Sequence, residues 1–175
     1  MSAYQNILVI HLMHLGDLML GTPVLAALRQ QYPAARITLL ADKKLADVVA
    51  ANEHLDECLL IDGGICGILR CAMRLRKRHY DLVINLHRNE RASALAALSG
   101  GRRIVGYAKP GFSLVFDHVS PSQNQVMHEV HSHYAALRAA GVLDADGTAG
   151  LEMWIPPAAA EEAERLWREH FAPTD

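Results

Sequence analysis

Two stretches of the chain bring together side chains that can move protons or hold anions. In "HLMHLGDLMLGTP" (11 to 23), His11 and His14 precede Gly16 and Asp17, where an apolar run gives way to a helical pattern. A carboxylate there can cap the helix while the glycine permits the turn. It can equally stand ionised at the helix end and serve as a general base. The spacing alone admits both. In "LHRNERAS", Arg88 and Arg91 follow another apolar run, and their planar forks suit carboxylate or phosphate.

Other combinations are excluded by spacing. "HEVHSH" (128 to 133) is not HExxH, because position 132 is Ser; His128 and His131 share a helix face and His133 lies on another. His11 and His14 lack a nearby third ligand, so no metal site is expected. Gly63, Gly64 and Gly67 do not make GxGxxG, and no Walker sequence or GxSxG elbow is present. In "ILRCAMRLRKRHY", Arg70, Arg74 and Lys77 stand at i, i+4 and i+7 with Arg78 beside them. Such a row is either a solvated face or a patch for anionic lipid head groups, each charge contributing about 1 kcal/mol near a membrane.

The elements that must position these residues follow from hydrophobic patterning. "NILVIHL", "RITLLA", "ECLLID", "DLVINLH" and "RRIVGYA" are nearly continuous apolar runs, as strands covered on both faces require. Between them "PVLAALRQQYP", "KKLADVVAANE", "GILRCAMRLRKRHY" and "ERASALAALSG" carry apolar residues at helical spacing. The alternation predicts an α/β domain, three-layered and Rossmann-like, with a parallel doubly wound sheet. The Gly16-Asp17 pair and the Arg88/Arg91 pair both fall at carboxyl ends of strands, the ligand edge of such sheets. From Lys109 to Gln125 the chain reads as an irregular excursion. The helix "VMHEVHSHYAALRAAG", a flexible "DADGTAG", an extended "LEMWIPP" and a last helix "AAAEEAERLWREHF" follow.

The 175 residues fit one domain, and 51% hydrophobic with 21% charged residues reads as soluble and globular. Lys plus Arg (17) nearly balances Asp plus Glu (19), so overall charge gives no argument for nucleic acid. Cys58, Cys66 and Cys71 form no CxxC pair, which points to a reducing cytoplasm rather than a disulfide framework. No apolar run approaches the ~20 residues a membrane span needs, so membrane contact is expected from the side.

On these residues the chain resembles the N-terminal half of the family 9 glycosyltransferases, the ADP-heptose:lipopolysaccharide heptosyltransferases. The resemblance rests on "ILVIHLMHLGDLMLGTPVLAALRQQYP", "ARITLLAD", "YDLVINLHRNERASALAALSGGRRIVGY" and "HEVHSHYAALRAAGV", and spans nearly all of residues 6 to 143. It implies a GT-B architecture of two Rossmann-like domains. The first receives an acceptor of the lipid A/Kdo core type, and the second binds ADP-heptose. It also implies inverting transfer without a metal or other cofactor, with Asp17 as general base. Gly16, Thr22, His14 and His128 then fall on the acceptor side, while Arg88 and Arg91 are assigned there by the strand-edge argument.

Two departures accompany the resemblance. Many members have Asp where this chain has Asn85. The Gly-rich, Lys-Trp and Asp-Ser/Thr-Gly segments of the donor domain do not occur in these residues. The expected organisation is an acceptor domain over 1 to 150, with a linker and helix over 151 to 175 leading towards a donor domain. Such a chain is expected to fold without transferring sugar alone, in the cytoplasm or peripherally on the anionic inner membrane surface. One rival is a flavodoxin-like nucleotide- or phosphate-binding module. Another is a noncatalytic scaffold whose basic helix docks to a membrane or partner.

Overall fold

The apolar runs become strands because helices cover both of their faces. The computed structural model describes residues 4–12, 14–62, 64–120, 128–142 and 150–171. Six parallel strands, β1 (Asn6–Ile10), β2 (Arg36–Asp42), β3 (Glu57–Ile61), β4 (Leu82–Asn85), β5 (Ile104–Gly106) and β6 (His118–Val119), form one sheet in the order β3-β2-β1-β4-β5-β6. That is the doubly wound order of dinucleotide-binding folds; the flavodoxin-like order is 2-1-3-4-5. The flavodoxin-like alternative is therefore corrected at the level of topology.

The α-helices among the described residues are α1 (Leu15–Leu20), α2 (Thr22–Gln31), α3 (Ala46–Val49), α4 (Ile65–Arg76), α5 (Glu90–Leu98), α6 (Glu129–Ala140) and α7 (Pro157–His170). Alternate residues of β1 feed the two cores. Ile7 and Val9 pack with Leu18, Leu25, Leu28 and the α6 residues Tyr134 and Leu137. Leu8 and Ile10 pack with Cys71, Ala72 and Leu75 of α4 and Ala92, Leu95 and Ala96 of α5. The β1 register, Ile7 opposite both Ile37 and Leu82, puts β1 at the centre.

Three details differ from the sequence pattern. The excursion after Tyr107 contains a 3-10 turn (Pro110–Val115) and the short edge strand β6, seeded by the Asp117 carboxylate accepting from the Ile104 N–H at 2.7 Å. Helix α6 begins at Glu129; residues 126 and 127, where the pattern placed its start, lie outside the described residues, as does most of "DADGTAG". The helix after β1 is two helices, broken at Gly21, whose missing Cβ makes room for the His11 ring: an added Cβ would stand 3.0 Å from it.

The extended segment before α7 returns over α2. The Glu152 N–H donates to Thr22 Oγ1 at 3.1 Å, the Glu152 carboxylate lies 2.7 Å from His54 Nε2, and Trp154 meets the His54 ring edge-on. Helix α7 itself buries none of its residues. Among the described residues, no helix is long and apolar enough to cross a membrane.

Candidate functional site

The chain leaves β1 towards α1 on one face of the sheet and leaves β4 towards α5 on the other. The carboxyl ends of β1 and β4 therefore border a crevice, the switch point where doubly wound sheets take their ligands. From β1 comes His11, 1% exposed, its N–H donating to the Leu40 carbonyl at 3.0 Å. His14 is the N-cap residue of α1 and makes no capping bond with its side chain. Asp17 lies inside the first turn, so the capping role admitted by the sequence belongs to the His14 position instead. Helix α1 has six residues, which limits how much its dipole can favour a carboxylate. Gly16 is exposed, and a Cβ built on it meets nothing within 4 Å; packing does not require this glycine.

From β4 come His87, Arg88, Asn89 and Arg91, which with Lys109 line an open cleft of about 620 Å³. Asn89 caps α5 by accepting from the Ala92 N–H at 2.8 Å, and this fixes where the two arginines emerge. The guanidinium of Arg88 pairs with Glu129 at 2.6 Å and lies 4.1 Å over the Tyr107 ring. Arg91 donates to the Asp62 carbonyl at 3.0 Å and stands 3.7 Å from the Asp42 carboxylate. One arginine is thus held towards α6 and the other towards the ends of β2 and β3, each oriented by a carboxylate, and Glu90 lines the cleft between them.

His87 links the two halves of the site. Burial lowers its pKa from the ordinary histidine value; the Asp17 carboxylate opposes this, while His14, Arg88 and Arg91 reinforce it. Asp17 is therefore close enough to the cleft for its charge to act on a lining residue. Behind it, the His11 and His133 rings meet edge-on at 5.4 Å between centroids. Burial pushes His11 down to about 3, helped by His133 and His87, and pushes His133 down to about 4 against the pull of Glu129 and Asp17. Both imidazoles are neutral at ordinary pH, and none of their ring nitrogens has a hydrogen-bond partner among the described residues. No group of three or more His, Cys, Asp or Glu side chains among those residues has the geometry to hold a metal.

Asn85, fully buried, donates its amide to the Tyr107 carbonyl and accepts from the His87 N–H at 3.1 Å. It ties the end of β4 to the end of β5 and orients the His87 segment. An ionised aspartate could not donate the first bond. Gly106 is required there: its φ of 113° is left-handed, and a Cβ would collide with the Asn85 carbonyl.

The remaining sequence-selected residues are dispersed. Thr22 is 5% exposed, and its hydroxyl donates to the Met19 carbonyl at 2.8 Å and accepts from Glu152. His128 caps α6, its ring accepting from the Val130 N–H at 3.4 Å. Arg70, Arg74 and Lys77 are exposed along α4, whereas Arg78 forks onto both Glu57 oxygens at the opposite edge of the sheet. His87 and Lys109 were not singled out in the sequence, although each follows a strand end as Arg88 does. The His11/His133 contact had no sequence signal, because 122 positions separate the two rings.

The sheet order and the crevice define a Rossmann-type α/β domain with a basic, histidine-bearing ligand edge. No family model matches the chain. Its structure is similar to the crystal structure of the glycosyl transferase family 9 protein from Veillonella parvula DSM 2008, with 30% identity and a TM-score of 0.89 over 99% of this chain and 52% of that one. It is similar to Escherichia coli ADP-heptose lipopolysaccharide heptosyltransferase II with a TM-score of 0.71, over 97% of this chain and 52% of that one, at 16% identity, a likeness of fold. In sequence, 141 residues are 27% identical to lipopolysaccharide heptosyltransferase 3 of Escherichia coli (strain K12), covering 74% of this chain and 40% of that protein. The chain is similar to the N-terminal portion of a family 9 glycosyl transferase and of heptosyltransferases. It spans about half the length of the relatives it matches.

Proposed function

We propose that this chain is the acceptor-binding half of an inverting, metal-independent glycosyltransferase that moves a heptose from ADP-heptose to the lipopolysaccharide inner core on the cytoplasmic side of the inner membrane. The observation that carries the reading is that the Asp17 charge acts on His87, which lines one cleft with Arg88 and Arg91. A core acceptor offers the cleft sugar carboxylates and phosphates, and guanidinium forks bind such groups in a fixed orientation. The Asp17 carboxylate takes the proton of the acceptor hydroxyl as its oxygen bonds to the anomeric carbon; the bond from that carbon to ADP breaks on the opposite face. His133, on which the Asp17 charge acts, is buried and neutral at ordinary pH and so does not pair with the base as a cation. Thr22 and His128 serve structure in this reading, while His14 and Gly16 border the acceptor path.

Two experiments test it. In a two-domain enzyme carrying this domain, Asp17→Asn lowers turnover by orders of magnitude and leaves donor binding intact; near-normal turnover would remove Asp17 from the chemistry. The 175-residue chain alone binds water-soluble Kdo-containing core oligosaccharide but releases no ADP from ADP-heptose in its presence. Tight, saturable binding of ADP to this chain without acceptor binding would favour a nucleotide- or phosphate-binding module instead.

A further inference from the structure

Helix α4 seats Cys71, Ala72 and Leu75 in the core and turns two adjacent rows outward. One row is apolar: Ile65, Leu69 and Met73 at i, i+4 and i+8 are 77%, 55% and 61% exposed. Beside it run Arg70, Arg74 and Lys77, all exposed and in no ion pair among the described residues. Positions 65 to 77 contain no acidic residue. Helix α7 is the contrast, because there Arg165 pairs with Glu162 and Glu169, and Arg168 with Glu164. The 3-10 turn that packs on α5 in the same layer adds Leu114, which is 98% exposed.

An exposed apolar row bordered by unpaired cations fits a surface that is anionic outside and apolar just beneath, the profile of a bilayer with acidic lipids. A second copy of this chain fits poorly: a two-fold pairing of this face would set like charges against each other. We propose that α4 docks flat on an anionic membrane, with Ile65, Leu69 and Met73 entering the acyl boundary and Arg70, Arg74 and Lys77 meeting lipid phosphates. Arg78 takes no part, being spent on Glu57. The start of α4 abuts the cleft, since Arg91 holds the carbonyl of Asp62, three residues before Ile65. Docking here therefore sets the cleft beside the lipid surface. The docking stands on α4 itself; that it delivers a lipid-linked acceptor to the cleft rests on the proposed function.

Co-sedimentation of the chain with phosphatidylcholine vesicles, with and without phosphatidylglycerol, tests the proposal. Binding appears on the anionic vesicles, weakens with added salt, and is nearly absent on the neutral ones. The pair Arg70→Glu/Arg74→Glu lowers the partition about tenfold or more, two charges being reversed. The pair Leu69→Ser/Met73→Ser lowers it severalfold, while Arg165→Glu/Arg168→Glu on α7 leaves it unchanged. Circular dichroism melts check that the exposed substitutions leave the fold intact. Equal sedimentation with both vesicle types, undiminished binding in both α4 pairs, or α4-dependent dimerisation without vesicle binding would each overturn it. Titration of the α4 variants with soluble core oligosaccharide separates the two readings, because loss of docking with retained sugar binding leaves the acceptor reading standing.

Discussion

At the scale of single residues, the buried histidines make the sharpest forecast. Unfolded, His11 and His133 take up protons near their ordinary value of 6.5; folded, they resist until about 3 and about 4. Below 6.5 the unfolded chain therefore holds more protons than the folded one. Stability is complete above that pH and falls with acidification through the window, by up to about 1.4 kcal/mol per pH unit for each histidine. His133→Leu should flatten this slope between about pH 6 and 4 in urea titrations; an unchanged slope would place the proton uptake elsewhere. Gly16 makes the opposite kind of forecast. Nothing packs where its side chain would be, so Gly16→Ala should be neutral or stabilising by up to about 1 kcal/mol. If the gap admits acceptor, the same change raises the KM for acceptor more than it lowers kcat. The Gly-Asp motif was legible in the sequence; its setting among three histidines was not.

Among the elements, α4 carries two functions on two faces, and substitution separates them. Leu75 is fully buried against the sheet, and Leu75→Ala should cost about 2–5 kcal/mol in denaturant unfolding. Met73→Ser on the outer face should stay within about 0.5 kcal/mol. Asn85 joins β4 to β5, and Asn85→Asp should destabilise by about 1–3 kcal/mol at neutral pH, because the carbonyl of Tyr107 loses its donor. Recovery of part of that loss in acid, where the carboxyl can donate, would identify the bond as the cause. Strands β1 to β5 were legible as continuous apolar runs and most helices as periodicity. Strand β6 was not, because two residues carry no period and its pairing depends on Asp117 reaching Ile104. The α1/α2 break was also hidden, since Gly21 is needed by a ring ten residues away.

The whole molecule presents three surfaces with different fates: a basic cleft at the β1/β4 switch point, the cationic apolar face of α4, and α7 with no buried residue. Leu166, Trp167 and Phe171 are 41%, 60% and 67% exposed. An amphipathic helix of this kind is stabilised by an apolar face set against a partner. Truncation before Pro157 should leave the thermal melting of the sheet domain nearly unchanged, as no core residue comes from α7; a large drop would show that α7 supports the domain.

The sequence alone determined the class of fold, the strand edges and the motif that carries the resemblance, because burial on both faces, helical spacing and cap residues are local properties written over a few positions. Only the tertiary structure decided which charges meet. It set Asp17 against His87 and His133, paired Arg78 with Glu57, locked Thr22 onto backbone, and left Arg70, Arg74 and Lys77 without an ion pair among the described residues, beside an exposed apolar row. Coulombic and packing partners are fixed by how distant strands register in the sheet, and no spacing along the chain encodes that.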